Sequence, residues 1–351
     1  MDFCATHLNM TADEKEENAI SYAEHHGRKV KVREQKAKHK LEEKHDNSLH
    51  VVTFDLEQVL QSPKLNVSSL FYKRKLCTYN LSVYSLGDKK CTNFMWHEAT
   101  AGRGSCEIAT CVFKYLSLLP TIVKKVVLYS DTCGGQNRNI NFSMMCLHTV
   151  RELEIESIDH VFMESGHSQM EVDSVHSTIE SACRNVDVYC PMDYYRIAAM
   201  ARARDPYFVV QLDSSEVTDY KAMTTAFVRN RIKDADNVKV KWLQMKWMRY
   251  EKSKPNDISF RYDYDSSFRH ITVNAGSRGR RPQNFPAVCP LFVDKPKISP
   301  AKFNDLVSLC DSLAIPRDYH SFYHNLPHCG NARDALAEPD VEEDSDNDGY
   351  V

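Results

Sequence analysis

Three features are scarce in this 351-residue chain: long apolar runs, paired cysteines and DNA-reading modules. No window reaches the roughly 20 apolar residues that a membrane-spanning helix needs. The opening MDFCATHLNMTADEKEEN has no apolar stretch of signal-peptide length. The expectation is a protein that is neither secreted nor membrane-bound, and that works in the nucleus or the cytoplasm. The twelve cysteines contain no CxxC pair, which argues against a zinc ribbon. In a reducing compartment they are expected as free thiols or metal ligands and not as disulfides. No zinc-finger or helix-turn-helix pattern precedes the folded region.

What is present reads as a folded α/β protein. The hydrophobic share of 42% and charged share of 26% lie near globular averages, which excludes a wholly disordered or fibrous chain. Charge is segregated: RKVKVREQKAKHKLEEK over 28–44 carries eight bases and three acids, and EPDVEEDSDND over 338–348 carries seven acids and no base. Such blocks are usually solvated faces or interaction arms. Residues 1–48 therefore read as a charged N-terminal arm, and 331–351 as an acidic disordered tail.

Between them, VVTFDLEQV has the β-branched and aromatic content of a buried strand. SLFYKRKLCTYNLSVYSLG and CTNFMWHEA continue as two more strands, the three antiparallel. Ile108, Cys111, Val112, Tyr115, Leu116 and Leu119 then fall at helical spacing before Pro120. KKVVLYS is a short apolar run of the kind buried on both faces of a sheet. A helix over 139–154, a strand at IDHVFME and a helix over 170–183 complete a core spanning 49–204. Beyond it, YFVVQL, VKVKWLQMKWMRY, ISFRYDY and HITV read as strands of a smaller, basic β-rich C-terminal appendage over 205–330, closed by a helix near 299–313.

The chemistry lies at strand ends. Asp55 sits inside an apolar strand, where an unpaired carboxylate would be costly unless a cation or a donor meets it. Asp131 ends another apolar strand, at the edge where open α/β sheets bind ligands. After it, Gly134 and Gly135 permit close approach, and Gln136, Asn137, Arg138 and Asn139 supply donors at a helix start. In GHSQMEVDSVHSTIE, Asp173, His176 and Glu180 lie together beside a packing stripe of Val172, Val175, Ile179 and Cys183. His167, His176 and Cys183 offer zinc-type donors, although a pair of satisfied polar histidines is the simpler reading. Asp55-Leu56-Glu57 also has the D-x-E form of 3′–5′ exonucleases.

The segment LYSDTCGGQN resembles the S-D-N-G segment of retroviral-type integrases and cut-and-paste transposases, with Thr132-Cys133 where Asn-Gly would stand. The stretch from FDLEQVL through SDTCGGQNRN to GHSQMEVDSVHSTIE, with IPRDYHSFY near the end, is similar to a transposon-derived animal family, domain of unknown function 7869. That resemblance covers about residues 50–325. It implies a ribonuclease-H-like mixed sheet flanked by helices, whose catalytic acids are Asp55, Asp131 and Asp173, with Glu180 in reserve for the third. It further implies two Mg²⁺ or Mn²⁺ ions held by Asp55, Asp131 and Asp173, and phosphodiester cleavage or strand transfer on nucleic acid, DNA foremost. Gln136, Asn137, Arg138, Asn139, His167, His176, Lys239, Lys241 and Lys246 would meet the substrate, with Arg202, Arg204 and Arg278–Arg281 adding phosphate contacts. No membrane partner is implied, and a homo-oligomer is compatible. The alternatives are a D-x-E exonuclease and a catalytically silent relic serving as a binding scaffold. If the metal reading holds, Asp55 and Asp131 must share one face of the sheet.

Overall fold

The computed structural model describes residues 6–7, 9–164, 170–276 and 284–335. Two helices open the chain, α1 (Ala12–Glu17) and α2 (Ala19–Glu43), followed by strands β1 (Leu49–Leu56), β2 (Leu60–Ser62), β3 (Leu76–Ser85) and β4 (Cys91–His97). Alternation follows, with α3 (Ser105–Ser117), β5 (Lys125–Ser130), α4 (Ile140–Glu152), β6 (Ser157–Phe162), α5 (Glu171–Cys183), α6 (Pro191–Met200), β7 (Phe208–Gln211) and α7 (Tyr220–Phe227). The chain closes with β8 (Trp247–Glu251), β9 (Asp257–Arg261), β10 (Arg269–Thr272), α8 (Pro300–Asp311) and α9 (His320–His324).

Nine of these strands form one mixed sheet in the order β10-β9-β8-β6-β5-β1-β3-β4-β7, with β2 paired to β3. β1, β3 and β4 are antiparallel neighbours, as their sequences suggested, while β5 and β6 run parallel to β1. The parallel strands are central and read as near-continuous apolar runs because both faces are covered. One face packs Val52, Phe54, Leu128 and Ile158 against α3, α4 and α7. The other packs Val51, Val127, Tyr129 and Val161 with Val32 of α2 and Val172 of α5. Local signals set the helix ends. Asn139 caps α4 by accepting from the Asn141 and Phe142 amides, and Glu107 reaches back to the amides of Gly102 and Gly104 at the start of α3.

Three expectations are corrected. First, the charged arm over 1–48 contains a 25-residue helix docked on the sheet, with His25, Val32 and His39 buried. These residues recur every seventh position, about two helical turns, so they form one narrow contact stripe. Two of the three are histidines, which hides the stripe from an apolar count. The bases of α2 are engaged: Arg28 lies 3.6 Å from Glu164, Lys31 2.6 Å from Asp265 and Lys36 3.0 Å from Glu171.

Second, the 205–330 segment is no separate appendage. β7 extends one edge of the core sheet and β8–β10 the other, while α7 joins the main core through Tyr220, Met223 and Phe227. Edge strands carry unpaired backbone groups that these additions satisfy. Third, VKVKWLQMKWMRY is a strand only from Trp247. Before it, Val240 and Met245 are buried, Trp242–Gln244 form a 3₁₀ turn, and the Trp242 indole donates to the Arg231 carbonyl. Among the described residues no helix is long and apolar enough to cross a membrane. The acidic run over 338–348 lies outside the described residues.

The core contains a titratable liability. His160 of β6 is fully buried between the rings of Phe54, Phe142 and Phe162, and its Nε2 lies 2.8 Å from the Ser130 hydroxyl. Burial, with the nearby Arg138 charge, pushes its pKa down to about 3 from the ordinary 6.5. The folded state thus excludes a proton that the unfolded chain binds below 6.5, so stability is complete above that value and falls as the solution is acidified. His160 alone should cost about 2 kcal/mol of stability by pH 5. Urea unfolding from pH 7 to pH 5 checks this, and His160→Phe should flatten the decline. An equal slope in the variant would remove His160 as its cause.

Candidate metal centre

In the parallel pairing of β1 with β5, Thr53 is opposite Tyr129. Continued by two residues, that register carries Asp131, the residue just after β5, towards Asp55 near the end of β1. Side chains alternate along a strand, so both project from the face that also carries Thr53 and Tyr129. Adjacent strands lie roughly 4.8 Å apart, and the two carboxylates are therefore neighbours. This arrangement is compatible with a shared sheet face.

Charge confirms the proximity. Burial pushes the Asp55 carboxyl well above its usual range, the Asp131 charge raises it further, and Asp173 contributes in the same direction. The Leu56 amide, 2.9 Å from Asp55 Oδ1, opposes the shift. Asp131 Oδ1 accepts from the Asn137 amide group and from the Cys133 backbone N–H at 3.3 Å, which fixes its orientation at the mouth of the loop. Gly134 in this loop has close-packing reasons for its identity, since a Cβ there would stand 3.0 Å from Leu243. Gly135 faces open space.

Helix α5 crosses over β1 and β3 and brings the third carboxylate. Asp173 caps its own helix by accepting from the Met170 amide at 2.9 Å. Burial raises its pKa, while the Met170 bond and Lys36 of α2 act against the rise. Glu180, two turns later, is exposed and raises a different acid, Glu57. Glu57 is 2% exposed, accepts from the Asn80 amide at 2.8 Å, and is pushed up to about 8 mainly by burial. The acids thus sort into Asp55–Asp131–Asp173 and a separate pair, Glu57–Glu180.

The donor set of the first group is all carboxylate oxygen, which suits Mg²⁺ or Mn²⁺ and not a thiolate-preferring ion. Its oxygens do not all lie within 4.8 Å of one another.

The remaining residues expected at the site divide further. Asn137 supports Asp131, and Asn139 is a helix cap whose amide donates to the Gly134 carbonyl. Arg138 is buried with its guanidinium 5.7 Å from the Phe162 ring centre, and Gln136 is half-buried in the same loop. His176 Nε2 lies 3.0 Å from Ser82 Oγ, and burial lowers its pKa to about 4, so it is neutral and no cationic phosphate contact. Lys246, also expected at the substrate, lies 2.7 Å from buried Glu164. Lys239 and Lys241 are exposed, on the loop whose Leu243 abuts Gly134. Arg204 is exposed, and Arg202 lies 3.4 Å from Asp205. Trp247 is core, 3% exposed. His167 and Arg278–Arg281 lie outside the described residues, and Cys183 is buried in packing.

Sequence reasoning missed a buried polar row beside Asp55. Ser82 lies directly opposite Asp55 and donates to Asn93 Oδ1 at 2.6 Å, and Asn80 bonds Glu57. The alternation Thr78, Asn80, Ser82 against Tyr79, Leu81, Val83 was visible in β3. Its meaning depended on knowing that both faces are covered. A cleft of about 410 Å³ lies elsewhere, lined by Tyr79, Glu98, Glu107, Phe292 and Lys297. None of the residues expected at the site lines it, and Glu98 is committed to a buried pair with Lys302 at 2.6 Å.

A carboxyl held above its ordinary pKa of 3.8 opposes folding increasingly as pH rises from 3.8 towards its folded value, above which the cost is level. Asp55→Asn removes that charge and keeps the acceptor for Leu56. In metal-free buffer it should therefore stabilise the protein by roughly 1–2 kcal/mol at pH 8, and by less at pH 5. Equal destabilisation at both values would contradict the electrostatic account. Comparison with protein-family models, curated proteins and solved structures finds no match to this chain, so the functional reading rests on this geometry and on the resemblance in sequence.

Proposed function

We propose that this protein is a transposase- or integrase-like, Mg²⁺- or Mn²⁺-dependent enzyme that cleaves or transfers phosphodiester bonds in nucleic acid, on a ribonuclease-H-like core. The observation that carries the reading is the placement of Asp55 and Asp131 on one face of adjacent parallel strands, with Asp173 contributing to the same field. Within the larger sheet, the segment β4-β3-β1-β5-β6, three antiparallel strands followed by two parallel ones, supports the fold assignment.

Asp55, Asp131 and Asp173 are the residues that would hold the metal. When bound, a pair of such ions activates the attacking hydroxyl and neutralises charge on the leaving oxygen. The chain's own groups prepare the site. Asn137 and the Cys133 amide orient Asp131, and the Leu56 amide orients Asp55. Lys239 and Lys241, beside the Asp131 loop, are suited to phosphates and not to bases, since a lysine carries charge without a base-specific donor pattern. DNA is the proposed substrate.

The exonuclease reading keeps one observation in its favour. Glu57 alternates with Asp55 and is buried on the same face. Its electrostatic neighbour is Glu180 and not Asp131, and Asp131 follows a strand where that group of enzymes places a helix.

Cleavage of branched, double-stranded and single-stranded substrates with Mg²⁺ or Mn²⁺ tests the proposal. Asp131→Asn should lower cleavage at least about a hundredfold with the fold intact. Loss on Glu57→Gln but not on Asp173→Asn would favour the exonuclease, and absence of any cleavage would favour a binding scaffold. Lys239→Glu with Lys241→Glu should weaken binding and reduce the salt slope by about one per lysine. Lys246→Glu should lower stability, because it leaves Glu164 facing a second acid. An unchanged slope in the double variant would take that loop out of the contact surface.

A further inference from the structure

The segment IPRDYHSFYHNLP is not used by the acid site, and its two histidines have a specific setting. His320 and His324 lie one turn apart on α9, and Cys310 lies in the last turn of α8. One donor atom from each of the three falls within 4.8 Å of the other two, the only such His/Cys/Asp/Glu group of three among the described residues. Cys310 is a free, fully buried thiol, His320 is half-buried and His324 exposed, so the cluster opens to solvent on one side.

We propose that Cys310, His320 and His324 form a zinc site that staples α9 to the end of α8.

Three features carry the assignment. The donors are one sulfur and two imidazoles, the set that borderline-soft Zn²⁺ prefers and that Mg²⁺ avoids. His320 Nε2 lies 2.8 Å from the Ile315 carbonyl. A carbonyl only accepts, so Nε2 carries the proton and the lone pair is left on Nδ1. A ring nitrogen bonded to a backbone carbonyl is the usual outer support of a metal-bound histidine. Finally, α9 has five residues, too few for a helix to persist by backbone bonding alone, and the connection 312–319 separates it from α8. A cation shared across that loop fixes both ends. Three protein ligands leave a fourth position on the exposed side for water.

The test uses the full chain with Zn²⁺, and Co²⁺ as a spectroscopic substitute. One equivalent of Zn²⁺ should bind and raise the thermal midpoint, and Co²⁺ should show a sulfur-to-metal charge-transfer band. His324→Gln, at an exposed position, should fold normally and weaken Zn²⁺ binding by at least about tenfold. Cys310→Ser should abolish the charge-transfer band. Asp131→Asn should leave all three readouts unchanged, which separates this site from the carboxylate centre. Absence of stoichiometric Zn²⁺ binding, or binding unaffected by His324→Gln, would overturn the proposal.

Discussion

Two half-buried carboxylates at the ends of neighbouring parallel strands are the constraint around which this fold is arranged. Like charges so placed repel, and burial denies them the solvent that would screen the repulsion. The surrounding structure answers with fixed donors: the Leu56 amide on Asp55, and Asn137 with the Cys133 amide on Asp131. These bonds orient the acids without neutralising them, as the high pKa of Asp55 records. Such a site favours uptake of a proton or of a cation, and this unrelieved field is what gives the sheet edge its chemical potential.

The rest of the architecture keeps that edge rigid. β7 and β8–β10 satisfy both borders of the core strands, so the register that aligns Asp55 with Asp131 is held within a long sheet. Helix α2 closes the carboxylate face, its bases paired with Glu164, Glu171, Asp263 and Asp265. Glu164 also takes Lys246, so a run of basic sequence that reads as a nucleic-acid contact is largely spent on internal neutralisation. Lys239 and Lys241 remain exposed, on the loop whose Leu243 abuts Gly134.

Much of this was legible from local sequence. VVTFDLEQV and KKVVLYS declare buried strands because their apolar runs need two covered faces, and their terminal aspartates stand out for the same reason. The helices over Ser105–Ser117, Ile140–Glu152 and Glu171–Cys183 follow from period and caps. What stayed hidden depends on partners distant in sequence. The stripe of α2 is written partly in histidine, with His39 held by the Tyr129 hydroxyl at 2.8 Å. The edge pairing of β7 and β8 needs the sheet in place first. Cys310, His320 and His324 converge only because the chain reverses over 312–319. Sorting the acids was likewise a matter of geometry, since Glu180 and Asp173 share a helix but act on different carboxylates.

Calorimetric titration of Mn²⁺ into the wild-type chain, Asp55→Asn and Asp131→Asn tests the central claim most directly, with buffers of different ionisation enthalpy to count protons. The account predicts saturable binding in the wild type, with the Asp55 proton displaced to the buffer as the ion binds, and loss of that binding in both variants. Equal binding by all three proteins, or binding by none, would contradict it.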